Sequence, residues 1–446
     1  MQRDAIDFHN GSVPRLFRKL LLPTLLGTIS IAAVTAIDGI FIGHGVGAEG
    51  VAAVNIAVPI YQIMSGIGLM VGVGCSVAAS IHLSQGKVKV ARYNVTQAIV
   101  ATSILAAAAC ALVWCFPEES ALLLGSSDTL LPMVKDYLVW IMPSFVFEMW
   151  SLIGLFIIRL DGSPRYAMWC NVINSLLNAV LDWLFIFPLG MGVKGAAIAT
   201  AISIAAGGIM ALAYLLFSKG KLNLIWLKAS SKSFRLALCN VGYHCKIGSS
   251  TLLGELTLAV FFFIGNQVFM RYLGDDGVGA FGIACYYAPF FFMVGNSIAQ
   301  SAQPIISYNY GISRWGHIAQ ARKLLLWTSA FFGVAVALLF IFIPRGLVGL
   351  FIDLSSPAAR IAVEGFPYFA SGIIFFILNV AIIGYYQSIE RVRKATLLVF
   401  LRGLVFLLPS FLLLPSLLGI PGIWLAMPLA EVATLAVVGG MMMGRR

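Results

Sequence analysis

Long apolar stretches alternate with short polar segments along the whole chain. A helix that crosses a lipid bilayer needs roughly 20 consecutive apolar residues. Twelve stretches of about this length occur, and we interpret each as a membrane span. The predicted spans cover residues 17–41, 52–81, 94–116, 132–158, 166–188, 194–217, 244–270, 279–308, 321–343, 362–388, 395–415 and 421–443. The pattern therefore predicts an all-α integral membrane protein with 12 transmembrane helices.

Composition and the placement of charge agree with this prediction. Hydrophobic residues make up 60% of the chain and charged residues 11%, whereas a soluble domain carries roughly 25% charged residues. Of the 29 lysines and arginines, 23 lie in segments on one side of the predicted spans, five lie on the other side, and Arg402 lies inside a span. Because basic loops stay in the cytoplasm, we expect a multi-pass protein of the bacterial inner membrane with both termini cytoplasmic.

Several functional classes are excluded by the same composition. The formal net charge of +11 is spread between apolar spans, which argues against nucleic-acid binding. The seven cysteines form no CxxC motif, and the five histidines are isolated, so neither a zinc site nor a disulfide framework is expected. We expect no cofactor and no obligate protein partner, only the lipid bilayer and a small-molecule substrate.

An internal repeat divides the chain into two halves. The segment Gly47–Ala57 matches Gly274–Ala284 at six of eleven positions with an offset of 227, and Ser84–Gly86 lies near Asn309–Gly311 at an offset of 225. Each half has six predicted spans and therefore the same orientation, which implies a pseudo-two-fold axis along the membrane normal. We predict an N-lobe over residues 1–217, a cytoplasmic linker over 218–243 and a C-lobe over 244–446.

Ionisable residues inside membrane spans are costly and are candidates for function. The predicted spans contain Asp38, Glu148, Asp182, Glu255, Glu431 and Arg402. Asp182 has the most polar surroundings, because Asn171, Asn174 and Asn178 precede it at helical spacing and share one face with it. A single asparagine is well explained by hydrogen bonding between helices. Three of them beside a carboxylate favour a wet cavity. Glu148 and Glu431 have no comparable set of polar neighbours on their own helices, which indicates a structural or interfacial role, such as a pair with Arg402.

Aromatic and amide side chains collect on predicted spans 8 and 10. Tyr287, Gln303 and Asn379 belong to this group, and with Asn174 and Glu255 they form the predicted substrate cavity. Such a lining suits amphipathic or cationic molecules, through apolar contact and cation–π attraction. Packing in a core or in an interfacial aromatic belt explains any single aromatic residue equally well.

At this point the chain resembles the multidrug and toxic compound extrusion (MATE) family. The resemblance rests on Asp38 with Ile42-Gly43, on Gly47–Ala57, on Arg159–Arg165, on Asn178-x-x-x-Asp182, on Gly192–Thr200 and on Gln303–Gly311. It is nearest to the bacterial MepA-like and DinF-like branch. That branch implies an H⁺ or Na⁺ site formed by Asp38, Asn178, Asp182 and Thr200 in the N-lobe. Glu255 matches a helix 7 glutamate of the NorM-like branch, but predicted span 10 lacks the aspartate that accompanies it there.

These observations predict a secondary active efflux transporter that exchanges H⁺ or Na⁺ for small amphipathic or cationic drugs by alternating access. The alternative within the same superfamily is a flippase for lipid-linked precursors, which needs a large basic cavity. Arg402 is the sole base that lies more than four residues from the ends of a predicted span, so the sequence argues against a flippase. A polytopic membrane enzyme is the remaining alternative, but no DxxxD or HxxxxD motif occurs on a predicted loop.

Overall fold

A computed structural model describes residues 6–126, 128–218, 220–227 and 230–443, and within these ranges it leaves undescribed the side chains of 36, 48, 49, 51, 52, 275 and 441–443. The described part of the chain is helical and contains no β-strand. Five basic residues that entered the predicted orientation lie outside the described residues: Arg3, Lys219, Lys228, Arg445 and Arg446.

Eight helices form the first half of the described chain. They are α1 (Val13–Gly45), α2 (Ala48–Ser84), α3 (Val88–Cys115), α4 (Pro117–Leu123), α5 (Leu131–Ile141), α6 (Ser144–Leu160), α7 (Pro164–Ile186) and α8 (Gly192–Phe217). Five of these helices are individually long and apolar enough to cross a membrane: α1, α2, α3, α7 and α8. The helices α5 and α6 meet at an angle of 52° and are together long and apolar enough to form one bent span. Pro143 lies at this bend. Its ring removes a backbone donor and opposes a straight helix, so it accounts for the bend.

The second half repeats this order. It comprises α9 (Ser231–Gly311), α10 (Trp315–Phe342), α11 (Pro344–Gly349), α12 (Pro357–Ala370), α13 (Ile373–Ser388), α14 (Val392–Phe400), a π-helical turn (Leu401–Val405), α15 (Leu407–Leu418) and α16 (Ile420–Met443). Gly274 divides α9 into two spans, and α12 meets α13 at 51°. The described residues thus hold ten helices that can each span a membrane and two bent helix pairs that can each form one more span, which confirms the predicted all-α membrane fold.

One predicted span begins much earlier than its hydropathy indicated. The prediction started span 7 at residue 244, but α9 begins at Ser231. The Ser230 hydroxyl oxygen accepts a hydrogen bond from the backbone N–H of Ser233 at 3.2 Å and caps the helix. The first turns of α9 carry Lys232 and Arg235, which lower the local hydropathy without preventing a helix.

The internal repeat is present in the backbone as well as in the sequence. Four positions with positive φ in the first half recur in the second half at offsets of 227 or 228: Gly47 with Gly274, Gly86 with Ser313, Gly162 with Glu390, and Gly192 with Gly419. The short helices α4 and α11 both begin at a proline, and the two bent spans have nearly equal angles. The backbone pairs Gly86 with Ser313, whereas the sequence comparison had placed it beside Gly311.

The chain divides into two compact units. The first unit contains the chain up to Leu252 together with Ser307–Trp315, and the second contains Leu253–Ile306 and the chain from Gly316 onward. These units follow spatial contact, whereas the predicted N-lobe, linker and C-lobe follow the repeat, so that division stays a prediction. Within the first unit α1 packs against α7, and α7 and α6 both pack against α8.

Candidate functional site

Two glycines let α1 approach α7 closely, and this approach positions the candidate site. A Cβ atom added at Gly45 would overlap the Ile186 side chain, and one added at Gly27 would lie 3.1 Å from the Asn171 amide. Because glycine has no side chain, the two backbones can pack together at these points. Ile42, Ile186 and Ala196 form a small buried core between α1, α7 and α8.

The structure brings Asp38 of α1 and Asp182 of α7 together. Their carboxyl groups lie within hydrogen-bonding range of each other. Asp182 is fully buried, and Asp38 is half-buried. No N–H or O–H group among the described residues donates to Asp38 Oδ1 or to either carboxylate oxygen of Asp182. Two adjacent anions in an apolar protein interior repel each other, so the pair needs a proton or a cation between its oxygens.

Asn178 and Thr200 add neutral oxygen-bearing groups beside this pair. Asn178 lies one helical turn before Asp182 on α7, and its Nδ2 donates to Thr200 Oγ1 of α8 at 3.3 Å. This bond holds the amide so that its Oδ1 is left to accept from another group or to bind a cation. Carboxylate, amide and hydroxyl oxygens are hard donors that suit small cations such as Na⁺. The four predicted coupling residues therefore lie on three packed helices of the first unit.

Asn174 occupies a different part of α7. It lies two turns before Asp182, which is about 12 Å along a helix axis. Its Cβ and amide carbon face Gly207 of α8, where an added Cβ would lie 3.3 Å from Asn174 Cβ. Asn174 is half-buried in this helix contact. The structure places it in the packing between α7 and α8 and not beside the carboxyl pair.

The four predicted cavity residues of the second unit have separate surroundings. The Tyr287 hydroxyl donates to the Leu347 carbonyl at 3.1 Å, and its ring packs edge-on against Phe340 and Phe351. Gln303 is buried on α9. Glu255 is half-buried and has no hydrogen bond or ion pair within the described part of the chain. Because of its contacts with Phe340 and Phe351, Tyr287 is a packing residue of an aromatic core.

Asn379 belongs to a buried ion-pair network. Its Nδ2 donates to Glu431 Oε2 at 2.7 Å and to the Glu431 carbonyl at 2.9 Å. Arg402 donates to Glu431 Oε1 from Nη2 at 2.6 Å and from Nε at 3.0 Å, and its guanidinium lies 4.2 Å from the centre of the Phe376 ring. The expected pairing of Glu431 with Arg402 is therefore present. Glu148 lies elsewhere, on α6 in the first unit.

Sequence reasoning missed Tyr137 of α5. Its phenol lies close enough to Asp38 and Asp182 to interact electrostatically with both carboxyl groups. In the sequence Tyr137 follows Lys135 and Asp136 at the start of a predicted span, a context typical of an interfacial tyrosine. The missing information was the bend at Pro143, which directs α5 toward α2 and α8.

Comparisons with known proteins agree with the internal repeat and the helical membrane fold. A sequence model of the MatE family matches residues 23–184 and again residues 251–412, so the two matches are 228 residues apart, as the repeat predicts. A protein named FAD transporter from Shewanella oneidensis is 27% identical over 362 residues, which are 78% of this chain and 76% of that protein. The multidrug export protein MepA of Staphylococcus aureus is 21% identical over 407 residues, 90% of this chain and 87% of MepA.

A solved structure shows that the likeness extends to the fold. The MATE multidrug transporter DinF-BH, solved in complex with a ligand, is 27% identical and superposes with a TM-score of 0.87, covering all of this chain and 98% of that one. The family match spans well over half of the chain, in two copies that coincide with the two halves. The protein therefore belongs to the MatE family of multi-pass membrane transporters, which are not enzymes.

Proposed function

We propose that the protein exports small amphipathic or cationic molecules from the bacterial cytoplasm, across the inner membrane, in exchange for H⁺ or Na⁺. The observation that carries this proposal is the Asp38–Asp182 carboxyl pair, in which Asp38 Oδ1 and both oxygens of Asp182 are buried and receive no hydrogen bond from the described residues. Binding of one cation to the pair would remove its repulsion, and release would restore it. An inward monovalent charge supplies about 2.3 kcal/mol per 100 mV of membrane potential.

The pair is placed to couple ion binding to helix movement. Asp38 lies on α1 and Asp182 on α7, so the ion that neutralises the pair also joins two helices. When the ion leaves, the repulsion favours separation of α1 from α7. Such an element with two arrangements is what alternating access requires. Asn178 and Thr200 complete the site when the ion is Na⁺, and the carboxyl pair alone suffices for H⁺.

Drug export is favoured over a flippase activity by the state of Arg402. A flippase for lipid-linked precursors needs free positive charge in its cavity. Arg402, the one base well inside a predicted span, is 6% exposed and is neutralised by Glu431. The names of two relatives, MepA and DinF-BH, support a drug as cargo. The relative named a FAD transporter supplies a second candidate cargo, a flavin dinucleotide.

The test is ethidium efflux from a bacterium that lacks its own drug pumps. Wild type, Asp38→Asn and Asp182→Asn are compared at matched expression, with the exposed Asp136→Asn as the control for loss of a carboxylate. We expect efflux in wild type and in Asp136→Asn and its loss in both other variants. Normal export by Asp182→Asn would show the coupling mechanism to be wrong.

Two further assays identify the ion and the cargo. In proteoliposomes with the purified protein, an imposed pH gradient and an imposed Na⁺ gradient are applied separately, and the gradient that drives uptake identifies the ion. The same vesicles are then offered ethidium and FAD. Transport of FAD alone would replace the proposed cargo, whereas transport of neither with either gradient would contradict the proposal.

A further inference from the structure

A second buried carboxyl group lies in the first unit, away from the Asp38–Asp182 pair. Glu148 lies on α6, just beyond the bend at Pro143, and is 6% exposed. The Ser65 hydroxyl of α2 donates to Glu148 Oε1. The phenol of Tyr61, one turn earlier on α2, lies within hydrogen-bonding range of both Ser65 and Glu148. Glu148 Oε2 is buried and receives no hydrogen bond from the described residues.

No basic side chain of the described residues balances Glu148. Helices α2, α3, α7 and α8 all pack against α6. Among the described residues of these helices, the titratable group that faces Glu148 is Tyr61, and no lysine, arginine or histidine interacts with the carboxyl group. A buried carboxylate without a counter-charge, with one oxygen lacking a donor, is strongly disfavoured as an anion. The neutral acid, with its proton on Oε2, is the form that this environment accepts.

The second unit shows what a balanced buried glutamate looks like in the same chain. Glu431 is 3% exposed, about as buried as Glu148. It accepts two hydrogen bonds from Arg402 and one side-chain hydrogen bond from Asn379. Both of its carboxylate oxygens therefore have donors, and its charge is matched. Glu148 has hydroxyl neighbours but interacts with no basic side chain of the described residues. A structural ion pair therefore does not explain its presence.

Two tyrosines are neighbours of Glu148 and of the carboxyl pair, respectively. Tyr61 interacts electrostatically with Tyr137, and Tyr137 interacts with both Asp38 and Asp182. Part of the Tyr61 side chain is exposed, whereas its phenol oxygen lies beside the buried Glu148 carboxyl group. The groups Asp38–Asp182, Tyr137, Tyr61 and Glu148 thus form a series of neighbouring ionisable and hydroxyl groups within the first unit.

We propose that Glu148, with Ser65 and Tyr61, is a second proton-binding site of the first unit, distinct from the Asp38–Asp182 pair. Its reaction is reversible protonation, in which Glu148 Oε2 releases H⁺ and the carboxylate that remains is held by the two hydroxyl groups. This proposal extends the proposed ion-coupled export, because it assigns a second group that can exchange a proton during transport.

Infrared spectroscopy of the purified protein tests the site without any transport. A protonated carboxyl group gives a C=O stretching band that shifts in D₂O. We expect a band at neutral pH that is lost in Glu148→Gln and is kept in the Asp38→Asn/Asp182→Asn double variant. The exposed Glu364→Gln should leave it unchanged. A spectrum that Glu148→Gln does not alter would show that Glu148 is ionised, and the site would be rejected.

A second variant protects the test if Glu148→Gln does not fold. Ser65→Ala removes one donor and leaves the carboxyl group, so the band should shift in frequency and remain. An unchanged band in a folded Ser65→Ala protein would contradict the assignment to Glu148.

A transport measurement separates this proposal from the proposed function. Ethidium efflux is measured across a range of external pH for wild type and for Glu148→Gln. We expect Glu148→Gln to keep efflux with an altered pH profile, and an unchanged profile would exclude a role in coupling. If Asp182→Asn exports normally while the Glu148 band is lost as expected, the coupling mechanism fails and the proton site stands.

Discussion

Replacing Glu431 by glutamine isolates the electrostatic part of the buried network in the second unit. Glutamine has the same shape as glutamate but no charge, so packing is conserved and the guanidinium of Arg402 loses its counter-ion. Arg402 and Glu431 are 6% and 3% exposed. Water therefore cannot take over the role of the missing carboxylate.

The size of the effect follows from what each partner keeps. Removing one member of a buried ion pair costs about 3–5 kcal/mol. The glutamine oxygen still accepts from Arg402, which remains 4.2 Å from the Phe376 ring. Asn379 Oδ1 is buried without a donor, so the new amide N–H₂ can donate to it if the Asn379 amide turns over. That turn sacrifices the 2.9 Å bond to the Glu431 carbonyl. We therefore expect a loss of about 3 kcal/mol, the lower end of the range.

Unfolding in detergent micelles measures this loss. Intrinsic tryptophan fluorescence, to which the buried Trp424 of α16 contributes, follows the unfolding. The exposed Glu364→Gln on α12 makes the same chemical change and should leave stability unaltered. The double variant Arg402→Met/Glu431→Leu leaves no unpaired charge and should be more stable than Glu431→Gln alone. If Glu431→Gln unfolds together with wild type, or if the double variant is the less stable of the two, the reasoning is refuted.

Two further predictions concern helix packing in the first unit and the segment around Lys221 that follows α8. Gly45→Ala should destabilise the fold by about 1–3 kcal/mol, because the added methyl group would overlap a side-chain carbon of α7. The melting temperature should fall accordingly. The same change at Gly39, which has open space around it, should not lower the melting temperature. Asp161→Ala removes the acceptor that holds the backbone N–H of Lys221 at 2.8 Å. A protease should then cut the chain near Lys221 faster than in wild type. The exposed Asp136→Ala should leave this cleavage rate unchanged.

The sequence determined the span pattern well because a bilayer imposes a simple length and hydropathy rule. It also located the repeat, and the backbone explains why the repeated glycines are glycines. Gly47 and Gly274 both have positive φ, which glycine adopts without strain. The predicted alignment of the two halves was wrong by two residues at one point. Gly86 corresponds to Ser313 in the backbone and not to Gly311.

The candidate site was predictable only in part. Asp38 and Asp182 were visible as acids inside spans, and the structure brings their carboxyl groups together. The neighbour Tyr137 was not visible, because its place depends on the bend between α5 and α6, and hydropathy does not record a bend. Asn174 shares the polar face of α7, but helical spacing alone does not tell which part of a face meets a neighbouring helix.

The repeat shows where the two halves differ in chemistry. At an offset of 228, Phe376 corresponds to Glu148, and Ser410 corresponds to Asp182. At the same offset Arg402 corresponds to Asn174, and the charge of this arginine is balanced by Glu431. The second half therefore keeps the helix scaffold while replacing two acids of the first half with neutral side chains. If ion coupling depends on the acids that lack a counter-charge, neutralising the second unit's ion pair with Arg402→Met/Glu431→Leu should leave the ion dependence of efflux as in wild type. A changed ion dependence in that double variant would mean that the second half takes part in coupling.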